Sequence, residues 1–144
     1  MTSSDHELLT RELRRREAYL AEAQSLSHTG SFGWNVSTDE HFWSDETFRI
    51  FELDPSATLS LPTILERVHP QDMASVNLAI AAANRAEGVN LEFRLLMPDA
   101  RIKYLHVVGR AARGETGTIE IIGAVMDVTA RKLTEIDERH EMSE

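Results

Sequence analysis

Six histidines and 24 acidic residues are the groups in this 144-residue chain that have the chemistry to move protons or hold a metal. Their spacing joins none of them into a working set. No serine stands in a nucleophile elbow, no glycine loop is built to cradle phosphate, and no His-Glu pair has zinc spacing. There is no cysteine, which excludes a disulfide scaffold, thiolate metal sites and cysteine nucleophiles. His69, just before Pro70, reads as a helix-start residue that bonds backbone. His106 lies among apolar strand neighbours, where a structural role is favoured, although at a contact surface it would titrate near neutral pH. Met73 reads as a core methionine. With no acid–base pair in a polar cleft, the chain is expected to be no enzyme in its own right and to hold no metal.

Composition sets the next bounds. Hydrophobic residues make up 42% and charged residues 27%, as in a globular chain long enough to bury a core. The net charge of −9 argues against nucleic acid or an anionic membrane as a partner. No apolar run approaches a membrane span and the N-terminus lacks a signal-peptide core. A soluble, cytoplasmic chain is expected, and a longer parent is still free to be membrane-anchored.

The elements that would position any site follow from periodicity. Residues 4–27 read as a helix, with Ser4 and Glu7 at capping-box spacing. Leu9, Leu13, Leu20, Ala23 and Ser27 form an imperfect heptad stripe interrupted by Arg16. The arginines at 11, 14, 15 and 16 read as a solvated face. His28-Thr29-Gly30 breaks the helix. Phe32, Trp34 and Val36 alternate with polar or small residues, and His41-Phe42-Trp43 makes a second short strand, giving a hairpin. Ser44 is placed to cap a short helix that buries Phe48 and Phe51. Ile64, Leu65 and Val68 supply a small apolar face after Pro62. A longer helix starting at His69-Pro70 buries Val76, Ile80 and Ala83, with Gly88 as its expected stop.

Three strands come next. Leu91, Phe93 and Leu95 alternate with Glu92 and Arg94. Residues 102–112 and 119–128 are apolar on both faces and flank a Gly114-Glu115-Thr116-Gly117 turn, so both faces need a cover. From Thr129 a charged helix carries Leu133, Ile136 and His140 at steps of three and four, marginal by itself. It reaches Glu144 without a stop signal, as expected of a fragment of a longer protein. Strands separated by a helical block indicate an α+β fold, one antiparallel sheet with helices on one face.

Four segments in this order resemble the PAS family of bacterial sensor kinases. They are Gly30-Ser31-Phe32-Gly33-Trp34, then Phe42-Trp43-Ser44-Asp45-Glu46 with Phe48-Arg49-Ile50-Phe51, then Val68-His69-Pro70-Gln71-Asp72, and last the stretch from Ile122 to Lys132 containing Asp127-Val128-Thr129. The resemblance spans about residues 21–133. It implies a five-stranded antiparallel PAS sheet, with residues 1–27 as an N-terminal capping or dimerisation helix, 28–129 as the core and 130–144 as the start of a signalling helix. Two positions depart from the pattern: Asp99-Ala100 replaces the usual Asp-Gly turn, and Tyr104 stands where many relatives have tryptophan.

The resemblance also frames the cofactor question. Flavin photochemistry in the family needs a cysteine on the longer helix, and this chain has none. Haem-binding relatives place a histidine there, and residues 72–87 contain none, so haem is disfavoured and the cofactor stays unknown. His140-Glu141 resembles the phosphoacceptor box of histidine kinases, but the Leu-Arg-x-Pro continuation is missing and a solvated helix residue is the better reading. By family placement a cavity lies between the sheet and the helices. Strand parity nominates Phe93 and Leu95 for its lining; the resemblance implies that Leu105, Val107, Ile121, Gly123 and Val125 face the same way, and Phe48, Phe51, Val76 and Ile80 come from the helices. So apolar a set favours simple core packing over a ligand site; any ligand would be a small apolar metabolite.

The opposite sheet face carries Tyr104, His106, Val108, Ile122, Ala124 and Met126, too apolar to leave in water. The N-terminal helix is the expected cover. It would act from a partner in a parallel homodimer, through Leu13, Leu20, Ala23 and Leu26 against Tyr104, Ile122 and Met126, or alternatively from the same chain. By resemblance, Asp127, Thr129 and Arg131 transfer the signal, with Asp127 pairing Arg131. The expected function is a sensory and dimerising module of a larger bacterial signalling protein, a sensor histidine kinase above a diguanylate cyclase, with an output domain past the exit helix. A ligand-free structural coupler is the alternative.

Overall fold

The computed structural model describes residues 2–143; Met1 and Glu144 lie outside the described residues, as do the side chains of Met142 and Ser143. In chain order the elements are α1 (Ser3–Ser27), β1 (Thr29–Asn35), β2 (Glu40–Trp43), α2 (Asp45–Phe51), α3 (Leu61–Leu65), a 3-10 turn at Pro70–Asp72, α4 (Met73–Asn84), β3 (Val89–Leu96), β4 (Ile102–Arg113), β5 (Ile119–Asp127) and α5 (Thr129–Ser143). The five strands make one sheet in the order β2-β1-β5-β4-β3, antiparallel at every pairing. This is the α+β architecture expected, with β5 at the centre and α5 leaving directly from it.

The core lies between the sheet's inner face and the α2–α4 block. Ile50, Phe51, Val68, Val76, Phe93, Leu95, Met97, Leu105 and Val125 are buried there. Strand parity follows the period-two pattern: in β3, Phe93 and Leu95 are buried while Glu92 faces out. Backbone closeness locks the layers. A Cβ at Gly30 would stand 2.0 Å from Thr47 Oγ1 and 2.8 Å from Thr47 Cα, so only glycine lets β1 meet α2 there. The Thr47 hydroxyl uses that approach to donate to the Ser31 carbonyl at 2.8 Å.

The α4 block is tied to the sheet edge by Asp72. Its carboxylate accepts from the Arg94 amide at 2.7 Å, from Arg94 Nε at 3.0 Å and from Arg94 Nη2 at 2.8 Å. The His69 amide donates to the Arg94 carbonyl at 2.9 Å, and His69 Nδ1 accepts from the Gln71 amide at 3.1 Å. His69 is therefore the backbone-bonding residue its place before proline indicated. The C-terminal carbonyls of α2 take cations, where the helix dipole favours them: Lys103 Nζ donates to the Ile50 carbonyl at 2.6 Å and Arg67 to the Phe51 carbonyl at 3.0 Å.

Several local expectations are corrected. The capping box of α1 is Thr2 with Asp5, two residues earlier than Ser4 with Glu7. Ser44 flanks α2, but its side chain makes no cap bond; the hydroxyl accepts from the Ser31 amide at 2.9 Å, because the hairpin brings that donor within reach. Within α2 it is Ile50 that joins Phe51 in the core, while Phe48 is half-buried. α4 stops through Ala86, left-handed at φ 60°, and not at Gly88. Among the described residues no helix is long and apolar enough to cross a membrane.

α1 does not serve as a cap on its own chain. It buries no residue, it touches chiefly β1 and α2, and Leu13, Leu20, Ala23 and Leu26 are all exposed. Ile122 on the outer face is 55% exposed in consequence. Tyr104 and Met126, also on that face, are half-buried.

Candidate ligand-binding site

The helical block does not fill the concave face of the sheet. A cavity of about 130 Å³ remains between them. Phe51, Val76, Ile80, Phe93, Val107, Ile121 and Val125 line it, seven of the ten residues that parity and family placement nominated. The other three stand elsewhere. Leu95 and Leu105 are fully buried inside the packed core, and Phe48 meets Trp43 edge-on at 5.2 Å, off the cavity wall. Gly123 is absent from the wall as well; a Cβ there would strike the Val108 carbonyl oxygen, so its role is close strand approach.

The rest of the wall was not foreseen. Phe32, Trp34, His41 and Trp43 come from the hairpin, Leu61, Ile64, Leu65 and Val68 from the α3 region, Ala79 from α4, and Val89 and Leu91 from β3. In β2, His41 and Trp43 share one face by alternation while Phe42 points to solvent, 63% exposed. That alternation is the sequence signal that could have placed His41 and Trp43 inward.

His41 and Trp34 are direct partners across β1 and β2, and their rings stack at 5.9 Å with planes 12° apart. Between them in sequence, Asp39 turns the hairpin at φ 61°. Its carboxylate gathers three donors from three elements: His41 Nε2 at 2.7 Å and Trp34 Nε1 at 3.0 Å on one oxygen, and the Leu61 amide at 2.9 Å on the other. Burial pushes the Asp39 carboxyl up. The Leu61 amide, the His41 ring and the Trp34 indole together outweigh it and hold the group below its ordinary value. One ionised carboxylate thus ties β1, β2 and the start of α3 together beside the cavity, and fixes the His41 ring, whose side chain is 4% exposed.

On the outer face, α5 is held where β3, β4 and β5 meet it. Thr129 Oγ1 accepts from the Tyr104 amide at 2.9 Å, and the Thr129 amide donates to Asp127 Oδ1 at 3.0 Å. Arg131 does not pair with Asp127. Its guanidinium reaches Glu92 at 3.2 Å and Glu135 at 3.7 Å, because the Asp127 carboxylate is turned back to cap Thr129 while Glu92 on β3 lies alongside the helix. Lys132 joins the same carboxylate at 2.9 Å. His106 bonds Asn90 on the neighbouring strand at 2.7 Å. Among the described residues no cluster of three or more His, Cys, Asp or Glu side chains is arranged to hold a metal.

An antiparallel sheet over an apolar cavity, with a helix leaving from the central strand, defines a small α+β domain. The family model for the PAS fold matches residues 18–128, and the chain belongs to the PAS family. Solved structures with the same fold include a sensory box histidine kinase/response regulator from Burkholderia thailandensis (24% identity, 86% of this chain and 95% of that one, TM-score 0.68). Another is the N-terminal domain of a diguanylate cyclase with a PAS/PAC sensor from Marinobacter aquaeolei (17% identity, 72% and 98% covered, TM-score 0.64). A third is the PAS domain of a protein from Colwellia psychrerythraea (17% identity, 82% and 98% covered, TM-score 0.57). No curated protein gives a significant match.

Proposed function

We propose that this PAS domain is the input module of a larger signalling protein, taking a small molecule into the cavity and passing its occupancy to an output domain through α5. The observation that carries this reading is continuity. Ile121 and Val125 line the cavity on β5, and the same strand runs into α5 four residues after Val125. A change in cavity volume therefore acts on the strand that carries the exit helix, and interior packing transmits such strain. The domain itself performs no catalysis in this scheme. Native mass spectrometry of protein purified from its host tests it: a retained small molecule supports sensing. A chain that comes out empty, and stays empty against a library of small apolar compounds, supports a ligand-free coupler instead.

The parent is proposed to be a sensor histidine kinase, on the strength of the motif resemblance from Gly30 to Lys132. Phosphohistidine formed from ATP by the parent would support this; a cyclic dinucleotide formed from GTP would point to a diguanylate cyclase. A second copy is proposed to pair through α1, since its leucines stand in water at heptad-like steps and the nearby outer face exposes Ile122. Sedimentation velocity decides: a monomer at every concentration removes the dimer.

A further inference from the structure

The side chains of the cavity wall narrow what chemistry the ligand has. The wall contains no carboxylate, lysine or arginine; apart from the His41 ring and the indoles of Trp34 and Trp43 it is wholly apolar. A carboxylate or ammonium entering it would lose its hydration with no opposite charge to meet it. The volume of about 130 Å³ is close to that of a cavity of about 150 Å³ that takes a benzene molecule. The ligand is therefore uncharged and near the size of a six-membered ring.

Two ring nitrogens of the wall residues have no hydrogen-bond partner among the described residues. His41 gives Nε2 to Asp39, and among the described residues nothing hydrogen-bonds its Nδ1. Trp43 stacks on Phe51 at 4.6 Å, and nothing accepts from its Nε1. No buried side-chain nitrogen or oxygen among the described residues lacks a partner, so both atoms border open space. Trp34, the third such ring, already donates to Asp39. With the Asp39 carboxylate accepting, Nε2 carries a proton, and in the neutral ring Nδ1 is an acceptor. Trp43 Nε1 is a donor only. His41 and Trp43 lie two residues apart on the same strand face, both lining the cavity.

Resting on the cavity being a ligand site, we propose that its ligand is a small, uncharged, ring-sized molecule bearing a hydroxyl group, recognised by His41 and Trp43. A hydroxyl donates to an imidazole lone pair and accepts from an indole N–H through a single uncharged atom, which suits a cavity this small. Asp39 is a positioning residue in this arrangement: it holds the His41 ring and sets which nitrogen is left for the ligand.

The test is a titration of the full chain with phenol, cyclohexanol, benzene and benzoate, followed by two-dimensional NMR of the two tryptophan indole N–H signals and of the cavity methyl groups. Phenol and cyclohexanol are expected to bind roughly ten-fold tighter than benzene, the worth of one buried hydrogen bond, and benzoate not at all. His41→Phe is expected to weaken the preference, leaving only what Trp43 supplies, while benzene still binds; His41→Leu serves if the first variant does not fold. Equal binding of benzene and phenol by the wild-type chain would overturn hydroxyl recognition and leave the cavity reading standing. If no ring compound enters, and pressurised xenon shifts no cavity methyl signal, both readings fall.

Discussion

The amide of Asp127, the last residue of β5, donates to the carbonyl of His28, the residue that ends α1, at 3.0 Å. His28 is left-handed, and its own amide returns to the Gln24 and Ser25 carbonyls. One residue further on, Thr29 opposes Met126 in the sheet register. The helix that enters the domain and the helix that leaves it are thus joined at one end of the central strand pair. Any shift of β5 against β1 is felt by both.

The hinge of the exit helix is the Thr129 hydroxyl, which links the Tyr104 amide to the Asp127 carboxylate. Thr129→Val keeps the shape and removes both bonds, leaving a part-buried amide unpaired. A loss of about 1–2 kcal/mol is expected in urea unfolding, with faster amide exchange along α5. Unchanged exchange in α5 would show that the hydroxyl does not hold the helix.

Glu92 clamps α5 from outside. Lys132 foremost, and Arg131 with it, hold the Glu92 carboxyl below its ordinary value against the opposing effect of burial. Its contribution is complete above the ordinary glutamate value and is lost as pH falls through the lowered one. The pair is part-exposed, so Glu92→Gln is expected to cost under about 1 kcal/mol. α5 should nonetheless loosen in NMR line shapes at pH 6, as the wild type does only in acid or high salt. An acid transition of α5 that persists in Glu92→Gln assigns the titration to another group.

Asp72 is the more valuable carboxylate. It is 20% exposed and carries three donors from Arg94. The Arg94 guanidinium is the main reason its carboxyl is held below the ordinary value, with burial opposing. Asp72→Asn leaves that guanidinium part-unpaired and is expected to destabilise by about 2 kcal/mol at neutral pH. The difference from wild type should shrink as pH falls through the lowered aspartate value, because the native carboxyl is then neutral too. A gap independent of pH would mean the charge is not what matters.

Ala100 adopts φ 72° in the turn between β3 and β4, a conformation that a Cβ disfavours. Ala100→Gly is expected to raise stability by about 0.5–1 kcal/mol, the relief of that strain less the backbone entropy glycine adds. A fall in melting temperature would refute it.

The departure at Ala100 was legible in the sequence as a missing glycine, and the structure adds only its left-handed geometry. His41 is the opposite case. Alternation with Phe42 could have turned it inward, but nothing in the sequence showed what its ring would meet. Its stacking on Trp34 arises from hairpin register, and its bond to Asp39 from a turn conformation. The α4 stop differs for a similar reason: Ala86 takes the left-handed position because the chain must turn into β3, and local preference for Gly88 yields to that.

Alternation of apolar and polar residues determined which face of β3 turns inward, because a strand's side chains have a period of two whatever surrounds them. Apolar residues at steps of three and four marked the helices. β4 and β5 are apolar on both faces, so there only packing against the helical block chose the inner one. Which inward residues border open space was decided only in three dimensions, since a cavity is the small difference between the volume the layers enclose and the volume their side chains fill. The same holds for Arg131. Sequence put Asp127 nearby, but the fold laid Glu92, 39 residues away in the chain, beside it.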